Sequence, residues 1–250
     1  MRNNLFIIIL IFIFLGCQDN DTSKIDTNKE KRTIYTGGWP FNPQKDLIDN
    51  PGFGECPKAN GCACQTDSSC PPESKCTQLF RGKYCVPNEG SIVPRFKGVD
   101  QFGEEFDLYD LAMQGKPILL EIGSSTAQAC QDLSAWRSHQ SDIATKRKWW
   151  KDKFFKIREL ADNQEILWIN IIHLDENKNP ANPETVNLWH SKYPNSNIIV
   201  LADPSAKMKN WIRPTGLPCM VLIDENMVLQ KHALRGVEDA IDALYDLLNY

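Results

Sequence analysis

Residues 116–130 read Lys-Pro-Ile-Leu-Leu-Glu-Ile-Gly-Ser-Ser-Thr-Ala-Gln-Ala-Cys. Within this stretch, the apolar run 118–122 is interrupted only by Glu121, which is typical of a strand buried on both faces of a parallel or mixed sheet. Ser125, followed three residues later by Gln128, predicts a capped helix directly after the strand. A buried strand that leads into a helix places the first helical turn at the sheet edge, where α/β proteins carry their chemistry.

This stretch resembles the active-site strand and helix of the thioredoxin superfamily, particularly the membrane-anchored TlpA/ResA-type thiol-disulfide oxidoreductases. In that family an apolar strand is followed by a few small or aromatic residues and a Cys-x-x-Cys motif. Laid on this chain, the second cysteine falls on Cys130 and the first falls on Ala127. A methyl group therefore stands where the family carries its attacking thiolate. Cys130 lies one turn further into the helix, where burial is expected to raise the pKa of its thiol.

A second motif points to the same family. Residues 215–219 read Thr-Gly-Leu-Pro-Cys and lead into an apolar strand over residues 220–224. They resemble the cis-proline loop of thioredoxin-like proteins, with Leu217 and Pro218 at the peptide bond that is cis in the family. Two separated motifs in the right order imply a thioredoxin-like α/β fold, a central mixed sheet flanked by helices, over residues 91–250.

The other elements follow from apolar periodicity. Strands are expected over residues 166–174 and 198–202, and a hairpin strand over residues 227–233. The expected helices cover residues 183–193, 204–212 and 237–248.

The helix after Cys130 is expected to continue, or to break and restart, as far as Asn163. One buried stripe is predicted to contain Ile143, Trp150, Phe154, Ile157 and Ala161. Trp149 and Phe155 lie outside that stripe, and lysines flank them in the sequence. Two interpretations of these residues are open. They could lie on an anionic membrane, or they could belong to a packed helix whose lysines are solvated.

Two residues favour retained redox chemistry. Glu121 occupies the position at which thioredoxins carry a buried acid that relays a proton to the resolving cysteine. Cys219 follows the proline that packs against the motif helix, so it could approach Cys130. The pair is open to three interpretations: a structural bridge, a relocated redox couple, or two separate buried thiols.

A peroxiredoxin-like site is a further alternative, because those proteins use a single cysteine near this place. However, Ala127 and Gly123 replace the threonine and proline that the peroxiredoxin pattern requires. The histidines lack metal-ligand spacing, so neither a metal nor a cofactor is expected. They are His139, His173, His190 and His232.

The N-terminus resembles a bacterial lipoprotein signal. Eleven apolar residues, 5–15, follow Arg2 and end in Leu-Gly-Cys, which predicts a signal peptide over residues 1–16 and lipidation of Cys17. An uncleaved short anchor or ordinary secretion is the alternative. Residues 17–50 are mostly polar and are expected to form a flexible tether.

Residues 51–90 contain six cysteines and almost no aliphatic residues, which is typical of a small exported module held by disulfides. The pairing cannot be chosen from sequence. A zinc site is the alternative, although this stretch contains no histidine. The module is interpreted as a structural cap or spacer, with a partner-binding role as the second possibility. Its cysteines are Cys56, Cys62, Cys64, Cys70, Cys76 and Cys85.

Composition limits the function classes. The net charge of −4 does not favour nucleic acid as a partner, and nine cysteines indicate an oxidising compartment. The predicted location is the bacterial cell envelope, with the chain attached to a membrane by lipid and facing the periplasm or exterior.

Two functions remain open. In the first, Cys130 exchanges thiols and disulfides of partner proteins with Cys219 as its partner, Glu121 as proton relay and Pro218 shaping the groove. In the second, the fold is a non-catalytic module that binds partner proteins.

Overall fold

The structure, a computed structural model, describes residues 34–250. The predicted signal peptide, the lipidation site Cys17 and the first part of the predicted tether lie outside the described residues. Among the residues described, no helix has the length and apolarity needed to cross a membrane.

The elements are numbered along the described chain. The strands are β1 (Ser74–Leu79), β2 (Gly82–Pro87), β3 (Lys97–Asp100), β4 (Glu105–Asp107), β5 (Ile118–Gly123), β6 (Leu167–Ile172), β7 (Ile198–Ala202), β8 (Cys219–Ile223) and β9 (Leu229–Lys231). The α-helices are α1 (Gln128–Arg137), α2 (Phe154–Asp162), α3 (Pro183–Lys192), α4 (Lys207–Ile212) and α5 (Glu238–Leu247). These bounds confirm the predicted strands, α3, α4 and the closing helix to within a few residues.

The central sheet has seven strands in the order β4-β3-β7-β6-β5-β8-β9. Strands β5, β6 and β7 run parallel, β8 runs antiparallel to β5, and β9 returns as a hairpin beside β8. The three parallel strands are buried throughout or nearly so, as their continuous apolar sequences predicted. Helices cover both faces, so the chain has the predicted thioredoxin-like α/β fold, preceded by a disulfide-rich module.

The sheet divides the core into two apolar layers. Alternate residues of each strand point to opposite faces, so Leu120 and Ile122 enter one layer while Leu119 enters the other. We call the layer that contains Leu119 and helices α1 and α5 the α1 layer, and the other the opposite layer. Met208 and Trp211 of α4 belong to the opposite layer.

Disulfides hold the module that precedes the sheet. Strands β1 and β2 pair antiparallel as a hairpin, and all six cysteines of residues 51–90 are bonded, as predicted. The pairs are Cys56–Cys62, Cys64–Cys76 and Cys70–Cys85. Because every sulfur is bonded to another, none is left as a thiolate ligand of the kind that the zinc alternative needs. The module and the sheet domain belong to one compact unit.

The predicted tether is wrong for residues 34–50. Tyr35 and Trp39 are buried in the opposite layer, and Asn42 is 5% exposed. The physical reason is Asp110, a fully buried carboxylate that accepts hydrogen bonds from the Tyr35 hydroxyl, the Asn42 backbone N–H and Lys45 Nζ. These contacts join residues more than sixty positions apart, so local composition could not indicate them.

The long region after Cys130 breaks and restarts. Helix α1 ends at Arg137, and α2 begins only at Phe154, after a short 3-10 turn that starts at Ile143. Ile143 is 46% exposed, so its place on the buried stripe was wrong, whereas Phe154 is buried as predicted. Trp150 also packs as predicted, with its ring 4.7 Å from that of Trp136.

The aromatic and basic stretch packs against the protein, as the second interpretation expects, but residues 147–153 precede α2 and do not form a helix. Trp149 stacks on Phe154 with 6.3 Å between ring centroids, on the α1 layer. Lys151 and Lys153 both pair with Asp242 of α5, at 2.8 and 2.7 Å. Protein partners thus account for Trp149 and these lysines.

Candidate functional site

The candidate site lies where β5 passes into α1. Ser124 Oγ contacts Thr126 Oγ1 at 2.9 Å in the intervening turn, and Ala127 is the N-cap residue of the helix. The expected capping box is wrong, because the helix begins two residues later than that prediction required. Ser125 instead accepts a hydrogen bond at its carbonyl oxygen from Gln131 Nε2, at 2.8 Å.

Ala127 occupies the position that matters most for thiol chemistry. Its half-buried methyl group packs against the α1 layer at the first turn of α1. A cysteine at this position would gain thiolate character from the helix N-terminus. Alanine has no nucleophile, so the helix start of this chain cannot attack a disulfide.

Cys130 is completely buried on the inner side of α1. Its thiol is free, and burial raises its pKa far above the usual range, with the nearby Glu121 carboxylate adding to the rise. A backbone hydrogen bond from Ser124 opposes this effect only in part. The thiol form is therefore strongly favoured, and the sulfur is not accessible from solvent.

Glu121 is buried in the middle of β5, as predicted, but it is not alone. Arg137 Nη1 lies 2.7 Å from Glu121 Oε2, and Trp168 Nε1 donates to the same oxygen at 3.3 Å. Burial raises the pKa of the Glu121 carboxyl, while Arg137 opposes that rise. The other carboxylate oxygen, Oε1, has no hydrogen-bond partner in the described chain.

Arg137 is the site residue that sequence reasoning missed. It is 3% exposed, donates to Ser134 Oγ at 3.0 Å and packs over the Trp168 ring. The sequence could have indicated its position. Cys130, Ser134 and Arg137 are spaced four and three residues apart, so they lie on one face of the helix. An arginine on the same face as a buried cysteine indicates a buried acid as its partner.

The cis-proline loop has the predicted backbone. The peptide bond between Leu217 and Pro218 is cis, and Leu217 packs against both apolar layers. The Pro218 carbonyl oxygen accepts a hydrogen bond from the Gly236 N–H at 2.9 Å. This loop therefore lies at the edge where the two layers meet.

Cys219 and Cys130 belong to opposite layers. Cys219 begins β8 opposite Ile122 of β5 and points into the opposite layer, whereas its neighbour Met220 shares the α1 layer with Cys130. Burial raises the pKa of Cys219 to about 12, and its S–H donates to the Ala233 carbonyl at 3.1 Å. Both thiols are free, so they do not form the disulfide that the structural-bridge interpretation requires.

The histidines remain scattered, and only one touches the site. His173, which follows β6, contacts the Gly123 carbonyl oxygen through Nδ1 at 2.7 Å, and burial lowers its pKa. His139 pairs with Asp162 on the surface, and His232 contacts the Ile212 carbonyl.

Comparison with known proteins gives structural likenesses at low identity. No protein-family profile matches the chain, and no curated protein sequence matches it. An exposed lipoprotein thioredoxin from Streptococcus pneumoniae is 19% identical with a TM-score of 0.43, over 62% of this chain and 98% of that one. The thioredoxin domain of a thiol-disulfide oxidoreductase from Bacteroides vulgatus is 16% identical with a TM-score of 0.42, over 64% and 95%. A thiol peroxidase from Chromobacterium violaceum is 18% identical with a TM-score of 0.45, over 66% and 87%. At these values the likenesses transfer no activity to this chain.

Proposed function

We propose that this chain is a thioredoxin-fold protein of the bacterial cell envelope that binds an extended segment of a partner protein at the cis-proline loop without turning over a disulfide. The single observation that carries the proposal is the start of α1, where Ala127 replaces a nucleophile and the next sulfur, Cys130, is completely buried. The proposal includes the signal peptide, lipidation at Cys17, and the division into a module at residues 51–90 and a domain at residues 91–250.

Apolar side chains beside the loop support binding. Leu217 of the cis-proline loop and Ala127 at the start of α1 are both partly buried and pack on the α1 layer. A half-exposed apolar strip beside an irregular loop can accept the side chains of an extended peptide. Loss of the first cysteine removes the covalent step and leaves this surface in place.

A second candidate function is thiol-disulfide exchange by Cys130, with Glu121 as its proton relay. The observation that favours it is that Cys130 is a free thiol close enough to Glu121 for the carboxylate to raise its pKa. This function requires local opening of α1, because a sulfur without exposed surface cannot reach a partner disulfide. Cys219 serves this function less well, because it points into the opposite layer.

Site-specific photo-crosslinking in cells tests the binding function. A photoreactive residue at Thr215, which is exposed beside the cis-proline loop, is expected to give discrete protein adducts. The matched control is the same residue at Glu165, which is exposed just before β6, at the opposite end of the sheet from this loop. Adducts that are absent at Thr215, or identical at the two positions, would contradict binding at the loop.

Insulin reduction separates the two functions. Wild type and Cys130→Ser are expected to give equal rates at the background level if the chain only binds. A rate above background that disappears in Cys130→Ser would establish exchange by this sulfur instead.

A further inference from the structure

A positively charged pocket lies between the disulfide-held hairpin and the loop that precedes β8. We call it the hairpin pocket, a cavity of about 350 Å³ whose wall includes Phe80, Arg81, Tyr84, Lys209, Arg213 and Thr215. Strands β1 and β2 supply one side, and α4 with the residues after it supplies the other. Disulfides Cys64–Cys76 and Cys70–Cys85 tie both hairpin strands to the module, which fixes the position of the hairpin wall.

Among the described residues, those that line the pocket include three cations and no carboxylate. Within residues 34–250, none of Arg81, Lys209 and Arg213 takes part in a salt bridge, whereas Lys45, Arg95 and Lys151 do. The excess is local, because the whole chain has a net charge of −4. Cations left without counter-charges around one cavity attract a negatively charged ligand.

The pocket also presents aromatic surface. Phe80, at the hairpin tip, is 92% exposed, and the Arg213 guanidinium lies 3.8 Å from the centroid of the Tyr84 ring. Aromatic and arginine side chains together are enriched at the centres of protein interfaces. An exposed phenylalanine beside unpaired cations fits a ligand that combines acidic and apolar side chains.

The pocket adjoins the proposed peptide groove. Thr215 lines the pocket and is three residues before Pro218, and its backbone N–H and hydroxyl both donate to the Leu234 carbonyl oxygen. A segment that lies along the cis-proline loop therefore reaches the cations within a few residues. A concave wall also suits a polypeptide better than a flat anionic membrane.

We propose that the hairpin pocket binds an acidic segment of the partner protein, with an apolar side chain of that segment against Phe80. This assignment rests on the proposed function of the adjacent loop and gives the module a role in recognition. It identifies the partner class as a protein with glutamate or aspartate residues next to its groove-binding segment.

Charge reversal in the pocket is the test. Arg81→Glu with Lys209→Glu is compared with Lys83→Glu with Lys148→Glu, which makes the same charge change at two exposed lysines outside the pocket. The probe is a fluorescent peptide of alternating glutamate and glycine with one phenylalanine, and its control has glutamine in place of every glutamate. Binding is followed by fluorescence anisotropy at rising sodium chloride, and circular dichroism verifies that each variant is folded.

The wild-type protein is expected to bind the glutamate peptide at least about ten-fold more tightly than the glutamine peptide. The Arg81→Glu and Lys209→Glu variant should bind the glutamate peptide about ten-fold or more weakly than wild type does. The affinity of the Lys83 and Lys148 variant should stay within about two-fold of wild type. Phe80→Ser, which keeps every charge, should weaken binding of the glutamate peptide without changing how that binding depends on salt.

Equal binding of the two peptides, or equal binding by the two charge variants, overturns the assignment. Charge-dependent binding to vesicles of phosphatidylglycerol and phosphatidylcholine, without binding to the peptide, also overturns it in favour of a membrane surface. Crosslinks from a photoreactive residue at Thr126, which is exposed next to Ala127 and does not line the pocket, distinguish the two proposals. If they persist undiminished in the Arg81 and Lys209 variant, the loop binds partners and the pocket assignment fails. If they are absent while the peptide still binds through Arg81 and Lys209, the loop proposal fails.

Discussion

The guanidinium of Arg137, the last residue of α1, lies 2.7 Å from the carboxylate of Glu121 in β5, and both side chains are buried. The acid that could serve the Cys130 thiol is therefore already held by a cation. Burial raises the pKa of Glu121 and lowers that of Arg137, and each charge is stabilised by the other. The pair therefore links the inner face of α1 to strand β5 and fixes their relative position.

Arg137→Met is expected to destabilise the protein by about 3–5 kcal/mol, because it leaves a buried carboxylate without its cation. Glu121→Leu combined with Arg137→Met should recover most of this loss, since no buried charge then remains. The free energy of unfolding from urea titrations measures both. A single variant as stable as wild type would contradict the buried pair.

The loss in Arg137→Met is expected to depend on pH. Without Arg137, burial raises the pKa of Glu121 further above its ordinary value of 4.5, so the folded state holds a proton that the unfolded state releases. Folding stability of the variant should thus fall as pH rises above 4.5, and the deficit relative to wild type should be larger at pH 7 than at pH 4. A deficit independent of pH would contradict this assignment of the charge.

Both free thiols are expected to resist alkylation in the native protein. The pKa of Cys219 is raised to about 12 and that of Cys130 is raised still more strongly, so iodoacetamide at pH 8 meets almost no thiolate. After denaturation without reductant, mass spectrometry should find label on peptides containing Cys130 and Cys219 and none on the six module cysteines. Rapid native labelling of Cys130, or a peptide in which Cys130 and Cys219 are linked, would contradict the structure.

Lys45→Met is expected to lower the free energy of unfolding by about 1–3 kcal/mol. Lys45 Nζ lies 2.7 Å from Asp110, whose side chain is fully buried, so its removal leaves that carboxylate with fewer partners. Lys58→Met is the control, because Lys58 is exposed. Equal stability of the two variants in urea would show that residues 34–50 do not depend on Asp110.

The elements that the sequence predicted are those whose signal is local. The apolar run before Gly123 predicted β5, and the residues around Pro218 predicted the cis bond and the strand after it. Disulfide use in residues 51–90 followed from a composition that cannot form a core. Their pairing did not follow, because it depends on contacts across the folded module.

The parts that were missed depend on partners distant in sequence. Tyr35 and Asp110 are 75 positions apart, and no periodicity connects them. In contrast, strand alternation could have predicted that the two thiols lie on opposite faces of the sheet. Cys219 and Met220 must point to opposite faces of β8, and only one of those faces can be shared with Cys130.

Ala127→Cys is expected to give the chain disulfide reductase activity if only the nucleophile is missing. A sulfur at the N-cap of α1 would have its pKa lowered by the helix N-terminus, and Cys130, three residues on, would lie one turn away as the resolving thiol. Insulin reduction with dithiothreitol should rise well above the wild-type rate. Ala127→Ser controls for polarity, and Ala127→Cys with Cys130→Ser should instead accumulate mixed disulfides with partner proteins. If Ala127→Cys stays at the background rate while mass spectrometry shows a disulfide between the introduced sulfur and Cys130, then the groove, and not only the nucleophile, has lost the geometry for exchange.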